Sequence, residues 1–402
     1  MVPSKLFWGV HKMLARLMRH APAGIIAGVS LFLASFSGVF RRVAAALAGL
    51  PLVLFSLVSL LFSRGVAGVA TGWAPQAAGA PPPAITRDPK WGTHRMVEAN
   101  GQRLHVVEAG DPSKPLLLLL HGFPECWYSW RWWLASSLRR THHVVAYDAR
   151  GYGESSAPRG GSTWGGSEPF AVRHLAADAV ALVRALGHAR ATLAAHDWGV
   201  CVAWAAAGLL EREGALEGLI VINGPHIGAY HAAAGLPQYV KSLYIAAFQV
   251  PLLAELLLSR EDGRVVGAMF LGKKMGVRRR GGPRALTEAD VEVFKWGLRQ
   301  GGGEGLTRAL NWYRQLPGGS RADFAAAAPS PAQPLRSRCL ALWGTEDGAL
   351  GTELLVGMED YAPRTTKVLL ENCSHWAQQD AVEEVLKEVG AWLGVGNVTA
   401  PE

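Results

Sequence analysis

The segment Ala194-Ala195-His196-Asp197-Trp198-Gly199 places a carboxylate at the centre of a strand–turn–helix pattern. An apolar run, Ala191-Thr192-Leu193-Ala194-Ala195, leads into it, and Trp198-Gly199-Val200-Cys201-Val202-Ala203-Trp204 opens a helix. The layout is that of the Gly-x-Ser-x-Gly nucleophile elbow, with small residues at Ala195 and Gly199 and aspartate at the centre. That change decides the chemistry. A serine that attacked a saturated carbon would be left as a stable ether, whereas a carboxylate gives an ester that a positioned water hydrolyses. An aspartate elbow points to substrates electrophilic at an sp³ carbon, epoxides or alkyl halides, and away from ordinary esters.

Other reactive residue types follow other apolar runs. After Leu116–Leu120 comes His121-Gly122-Phe123-Pro124-Glu125, in which Gly122 permits close backbone approach and Pro124 restricts Phe123. The Phe123 N–H and the Trp198 N–H are the expected pair of an oxyanion hole; an ordinary Gly-Pro turn is the alternative. After Leu340–Trp343 comes Gly344-Thr345-Glu346-Asp347, and after Lys367–Leu370 comes Glu371-Asn372-Cys373-Ser374-His375-Trp376. Asp347 is expected to accept the Nδ1–H of His375, and His375 to activate water, with Glu346 the neighbouring competitor for the acid role. Nucleophile, acid and histidine in that chain order is the order of an α/β hydrolase.

The elements that carry these residues are apolar runs at Arg103–Val107, Leu116–Leu120, His143–Tyr147, Ala191–Ala195, Leu219–Ile222, Leu340–Trp343 and Lys367–Leu370. Alternation with helical segments such as Val172–Leu186 implies a mostly parallel sheet covered on both faces, whose chemistry lies at the carboxyl ends of its strands. From Pro225 to about residue 335 no strand pattern occurs, and the stretch is too long for a loop inside a compact domain. We expect an inserted helical cap at 225–335 between core parts 91–224 and 336–396, with a tail at 397–402. Within the cap, 273–282 is basic and glycine-rich; a solvated loop is expected there, with contact to anionic lipid head groups as the alternative.

Upstream, Lys5, Lys12, Arg16 and Arg19 precede an apolar run, Ala23 to Phe40, then Arg41-Arg42 and a second run, Val43 to Ser63, of spanning length. A membrane anchor is expected over residues 1–64 and a Pro/Ala-rich linker over 65–90; a buried helix pair is the alternative. The positive-inside bias favours a cytosolic N-terminus and one crossing by Val43–Ser63. That topology exposes the acceptor motif Asn397-Val398-Thr399 to the lumen, in a tail that looks flexible. The net charge of +8 comes from scattered Lys and Arg without a nucleic-acid motif, so no nucleic-acid partner is expected. Cys126, Cys201, Cys339 and Cys373 lack C-x-x-C spacing; they read as small buried residues, with no metal or other cofactor indicated.

Together, His-Gly-Phe-Pro-Glu at 121–125, Arg-Gly-Tyr-Gly-Glu-Ser at 150–155, His-Asp-Trp-Gly at 196–199, Leu-Trp-Gly-Thr-Glu-Asp at 342–347 and Ser-His-Trp at 374–376 resemble the epoxide hydrolase branch of the α/β-hydrolase superfamily. With the expected N-terminal anchor, the chain resembles the membrane-anchored vertebrate epoxide hydrolases 3 and 4. The resemblance covers about residues 95–394 and implies an eight-stranded, mostly parallel sheet. It also implies two cap tyrosines that donate to the epoxide oxygen: Tyr313, in Leu310-Asn311-Trp312-Tyr313-Arg314, and Tyr244, five residues before Gln249. It implies lipophilic substrates such as fatty-acid epoxides, water as co-substrate, no cofactor, and the endoplasmic reticulum or microsomal membrane. His121, Phe123, Pro124, Trp127, Trp198, Phe248 and Trp376 are expected to line an apolar substrate space. A haloalkane dehalogenase shares the aspartate elbow but gains nothing from two phenols, and a catalytically silent binding protein on the same fold is the other alternative.

Overall fold

The structure, a computed structural model, describes residues 81–400 apart from 159–166, 280, 282, 302–303 and 316–319. The expected anchor, most of the linker and the end of the tail lie outside the described residues. Among those described, no single helix is long and apolar enough to cross a membrane.

Eight strands form one sheet in the order β1-β2-β4-β3-β5-β6-β7-β8. They are β1 (Thr93–Ala99), β2 (Gln102–Ala109), β3 (Leu116–Leu120), β4 (His143–Tyr147), β5 (Ala191–His196), β6 (Leu216–Ile222), β7 (Arg338–Gly344) and β8 (Thr365–Leu370). Only β2 runs against its neighbours, pairing antiparallel with β1 and β4; the other pairings are parallel. Every residue of β3, β4 and β5 is buried, which is why these strands read as unbroken apolar runs rather than alternating ones.

The first strand escapes a search for apolar runs because β1 is largely exposed. Its signal is the turn instead. Asn100 and Gly101 both take positive φ, 49° and 70°, and Ala99 pairs with Gln102, the two-residue hairpin that Asn-Gly favours.

The helices Val172–Ala185, Trp198–Arg212 and Val382–Leu393 cover the sheet. Seven described helices lie between β6 and β7, among them Tyr244–Phe248, Leu253–Leu271, Glu288–Arg299 and Gly305–Arg314. The parallel registers Leu120 with Ala195, Ile222 with Leu342 and Gly344 with Leu370 bring the strand ends level. The loops that follow β3, β5, β6, β7 and β8 therefore meet on one edge, beneath the helical insertion.

Lys273 and Lys274 of the basic segment are exposed, as expected of a solvated loop, but Arg278 and Arg279 are docked. Asp380 accepts the Arg278 and Arg279 backbone N–H groups at 2.9 and 2.8 Å, Arg278 pairs with Glu346 at 2.8 Å, and Arg279 and Arg284 pair with Glu384 and Glu383. The start of the tail is docked too: the Ser137 N–H donates to the Thr399 carbonyl and the Thr399 N–H to the Ser137 hydroxyl, both at 3.0 Å. Val398 is buried beside Gly390, while Asn397 is exposed.

Candidate active site

Asp197 is the residue between β5 and the helix Trp198–Arg212, and its backbone takes φ 51° and ψ −121°. So unusual a conformation for a non-glycine residue survives only where its surroundings hold it. Here the surroundings are glycines. A Cβ on Gly122 would lie 2.5 Å from the Asp197 Cβ, and one on Gly199 would lie 2.5 Å from the Leu120 carbonyl oxygen. The loop after β3 can therefore press against the elbow, and the Phe123 N–H donates to Asp197 Oδ1 at 2.9 Å.

The other carboxylate oxygen, Oδ2, lies 3.4 Å from His375 Nε2. His375 in turn gives its Nδ1–H to Asp347 Oδ2 at 2.8 Å. Asp347 is fixed from three more directions, by the Ala349 and Leu350 N–H groups at 2.7 and 2.8 Å and by the Asn223 amide at 2.7 Å. Glu346 is exposed and turned to Arg278, so the acid beside His375 is Asp347. Asn223 was not expected in the site. It follows β6 with φ 45°, and the rule that singled out the other strand ends applies to it equally.

Burial alone would raise the Asp197 carboxyl, but the hydrogen bond and charge of His375, with His196 and the Phe123 N–H, hold its pKa below the ordinary value. For His375, burial pulls the other way, and Asp347 with Asp197 overcomes it, lifting the imidazole to about 10. The free site thus holds an ionised aspartate beside an imidazolium.

Beneath the elbow is a second buried pair. Glu125 Oε2 lies 2.6 Å from His196 Nδ1 and accepts the Gly122 N–H at 3.1 Å. Its Oε1 accepts from the Gln378 and Gln379 amides at 2.9 and 3.1 Å.

The cap supplies two phenols. Tyr244 and Tyr313 have ring centroids 6.0 Å apart, and Tyr313 packs edge-on to Phe123, Trp198 and Phe248 at 5.2, 4.9 and 5.0 Å. Their helices are tied together. Gln249 donates to the Tyr313 carbonyl at 3.0 Å, and Arg314 donates to the Phe248 carbonyl at 3.0 Å while forking onto Glu255 at 2.8 and 2.9 Å. Burial, then the Asp197 charge, raises the Tyr244 pKa; burial, then Tyr244 and Asp197, raises that of Tyr313. Both hydroxyls stay protonated, as donors.

Phe123, Trp198 and Phe248 stand beside these tyrosines. The structure gives other work to two side chains expected to meet substrate. His121 spends both ring nitrogens on backbone, Nδ1 on the Gly122 carbonyl at 2.9 Å and Nε2 on the Ala149 N–H at 3.0 Å. Trp127 packs edge-on to His94 and Tyr128 at 5.1 and 5.4 Å. Pro124 is buried in the loop after β3. Trp376 props the cap: its indole donates to the Met269 carbonyl at 2.9 Å and its ring lies 4.3 Å from that of Phe270.

Strand order, elbow and insertion are those of the α/β-hydrolase fold, whose family description matches residues 115–382. Mouse epoxide hydrolase 4 is 34% identical over 342 residues, which span 84% of this chain and 89% of that protein. Among solved structures, an epoxide hydrolase from Vigna radiata is 27% identical with a TM-score of 0.62, covering 76% of this chain and 99% of its own. A Bacillus megaterium epoxide hydrolase variant, solved with a naphthyloxy-propanediol product, is 25% identical with a TM-score of 0.61 over 75% and 100% of the two chains. The chain belongs to the α/β-hydrolase family and, within it, to the epoxide hydrolases.

Proposed function

We propose that this chain converts lipophilic epoxides to vicinal diols through an ester on Asp197. The observation that carries the reading is the division of labour between the two Asp197 oxygens, Oδ1 on the Phe123 N–H and Oδ2 facing His375 beneath two phenols. Asp197 Oδ2 attacks the less hindered epoxide carbon. The C–O bond breaks as Tyr244 and Tyr313 hydrogen-bond the departing oxygen, which takes a phenolic proton later restored from solvent or from the His375 imidazolium. Oδ1 becomes the ester carbonyl oxygen.

Water deprotonated by His375 then adds to the Asp197 carboxyl carbon. Negative charge develops on Oδ1, where the Phe123 and Trp198 N–H groups form the oxyanion hole. Collapse releases the diol, carrying the former Oδ2, and leaves a water oxygen on Asp197. A single turnover in ¹⁸O-water tests this: label is expected on Asp197, and label found only in the diol sinks the covalent route.

The aromatic walls Phe123, Trp198 and Phe248 suit apolar substrates, and fatty-acid epoxides are the class we propose. The dehalogenase alternative is not favoured, since paired phenolic donors answer to an epoxide oxygen. A panel of epoxides assayed for diol formation ranks the substrates, and a clear preference for small polar ones contradicts this assignment.

The basic and apolar pattern of residues 1–64 supports a single crossing by Val43–Ser63 in the endoplasmic reticulum membrane, with the catalytic part lumenal. Protease protection of that part in intact microsomes, with an Asn397-dependent glycosidase shift, is the expected result. Digestion without detergent places it in the cytosol instead.

A further inference from the structure

Away from the active site, the β1–β2 hairpin and the loop after β4 bring together His94, His105 and Glu154. His94 Nδ1 lies 3.0 Å from His105 Nε2, and His105 Nε2 lies 3.6 Å from Glu154 Oε1. One ligating atom from each of the three falls within 4.8 Å of the other two. Ligand atoms bound tetrahedrally to one zinc ion at bond lengths near 2.1 Å stand about 3.4 Å apart. The observed separations bracket that value.

The surroundings already orient the donors. His105 Nδ1 lies 2.8 Å from Asp148 Oδ2. A carboxylate can only accept there, so His105 Nδ1 carries the proton and Nε2 accepts the His94 Nδ1–H; ligation by His94 requires that proton to leave or to move to its Nε2. A carboxylate behind a histidine is the usual support for a metal-binding imidazole, fixing its tautomer and strengthening it as a donor. Asp148 is itself held by the Trp127 and Glu154 N–H groups at 3.0 and 3.1 Å. The second of these requires the loop to wrap closely around the carboxylate, and Gly153 permits it: a Cβ there, at φ +48°, would lie 2.1 Å from Asp148 Oδ2. Glu154 is thereby set beside the two rings.

Against binding stands Arg87, whose guanidinium holds both Glu154 oxygens at 2.6 Å. Its side chain is 39% exposed and can turn to solvent.

We propose that His94, His105 and Glu154 form a binding site for a borderline divalent transition-metal ion of the zinc class, with Arg87 as its competitor for Glu154. Two imidazoles and one carboxylate select zinc, copper or nickel over calcium and magnesium, which take oxygen ligands. Water completes the shell. The ion would join β1, β2 and the loop after β4, and so stabilise this corner of the core.

The test uses the full-length untagged chain in detergent, treated with chelator and titrated with Zn²⁺ by calorimetry. The wild type is expected to bind one Zn²⁺ saturably in a way that depends on His94, and its melting temperature to rise with Zn²⁺. His94→Gln should weaken that site by about 100-fold or more, since even supporting residues contribute 10- to 100-fold. Diol formation by the same variant reports that it is folded. Arg87→Ala should tighten binding several-fold, a direction that simple disruption of the corner does not give. Absence of saturable binding to the wild type overturns the proposal. So does equal binding by wild type and His94→Gln, or a Zn²⁺ site lost on His375→Gln and kept on His94→Gln.

Discussion

His196 reaches from the last position of β5 to the base loop, its Nε2 donating to the backbone carbonyl of His375 at 2.8 Å. Its Nδ1 faces the Glu125 carboxyl at 2.6 Å. Nucleophile strand, oxyanion loop and base loop are thereby held by one buried pair. Removing one partner of so buried a contact leaves the other's polar atom unsatisfied, at a cost of about 1–3 kcal/mol. Glu125→Ala should therefore lower stability by that order in denaturant unfolding and slow turnover. A variant as stable and as active as the parent would show that the pair carries neither role.

His375→Gln should accumulate the alkyl-enzyme, because ester formation needs no base and ester hydrolysis does. Intact-protein mass analysis after mixing with epoxide should show one added substrate mass, mapped to the peptide with Asp197. A variant that forms no adduct yet stays folded removes His375 from the second step alone.

Changing Tyr244 or Tyr313 to Phe removes one donor to the developing alkoxide, which at a preorganised site costs about 2–4 kcal/mol of barrier. Each variant should lose the corresponding rate in single-turnover epoxide opening, and the double variant nearly all of it. Full activity in both single variants would falsify the assignment of the cap tyrosines.

The pH behaviour follows from the two aspartates flanking His375. Its pKa is raised from 6.5 to about 10 in the free protein, so the stability gained from its charge is complete below about 6.5 and is lost as pH rises through about 10. Thermal melts of wild type against His375→Gln should show that loss on the alkaline side. During turnover, ester formation neutralises Asp197 and removes one of the charges that held the proton. His375 then becomes a free base at lower pH, when water must be activated. In pre-steady-state kinetics, ester hydrolysis should titrate below the value found for the free enzyme. Identical values for the two states would exclude this coupling.

Asp197, Asp347 and His375 were legible in the sequence because each follows a buried, unbroken apolar strand, and a parallel sheet gathers such strand ends on one edge. The cap was legible from the length of chain between β6 and β7. What failed was orientation. Nothing in the order of residues says that His121 turns both nitrogens to backbone, or that Trp127 packs beside His94 rather than Asp197. The docking of Arg278 and Arg279 in the basic strap was missed for the same reason, since Asp380 and Glu384 lie about a hundred residues away. Asn223 could have been found, as it too stands at a strand end. So could β1, through Asn100-Gly101.

Asp380 accepts backbone N–H groups from Arg278 and Arg279 in the cap and, at 2.7 Å, from Ser374 beside His375. Lifting the strap strips amide donors from a buried carboxyl that also holds the base loop. One buried carboxyl thereby joins the cap to the base loop, so the position of one is tied to that of the other. A substitution in the strap, far from any substrate, would be felt as a misplaced base.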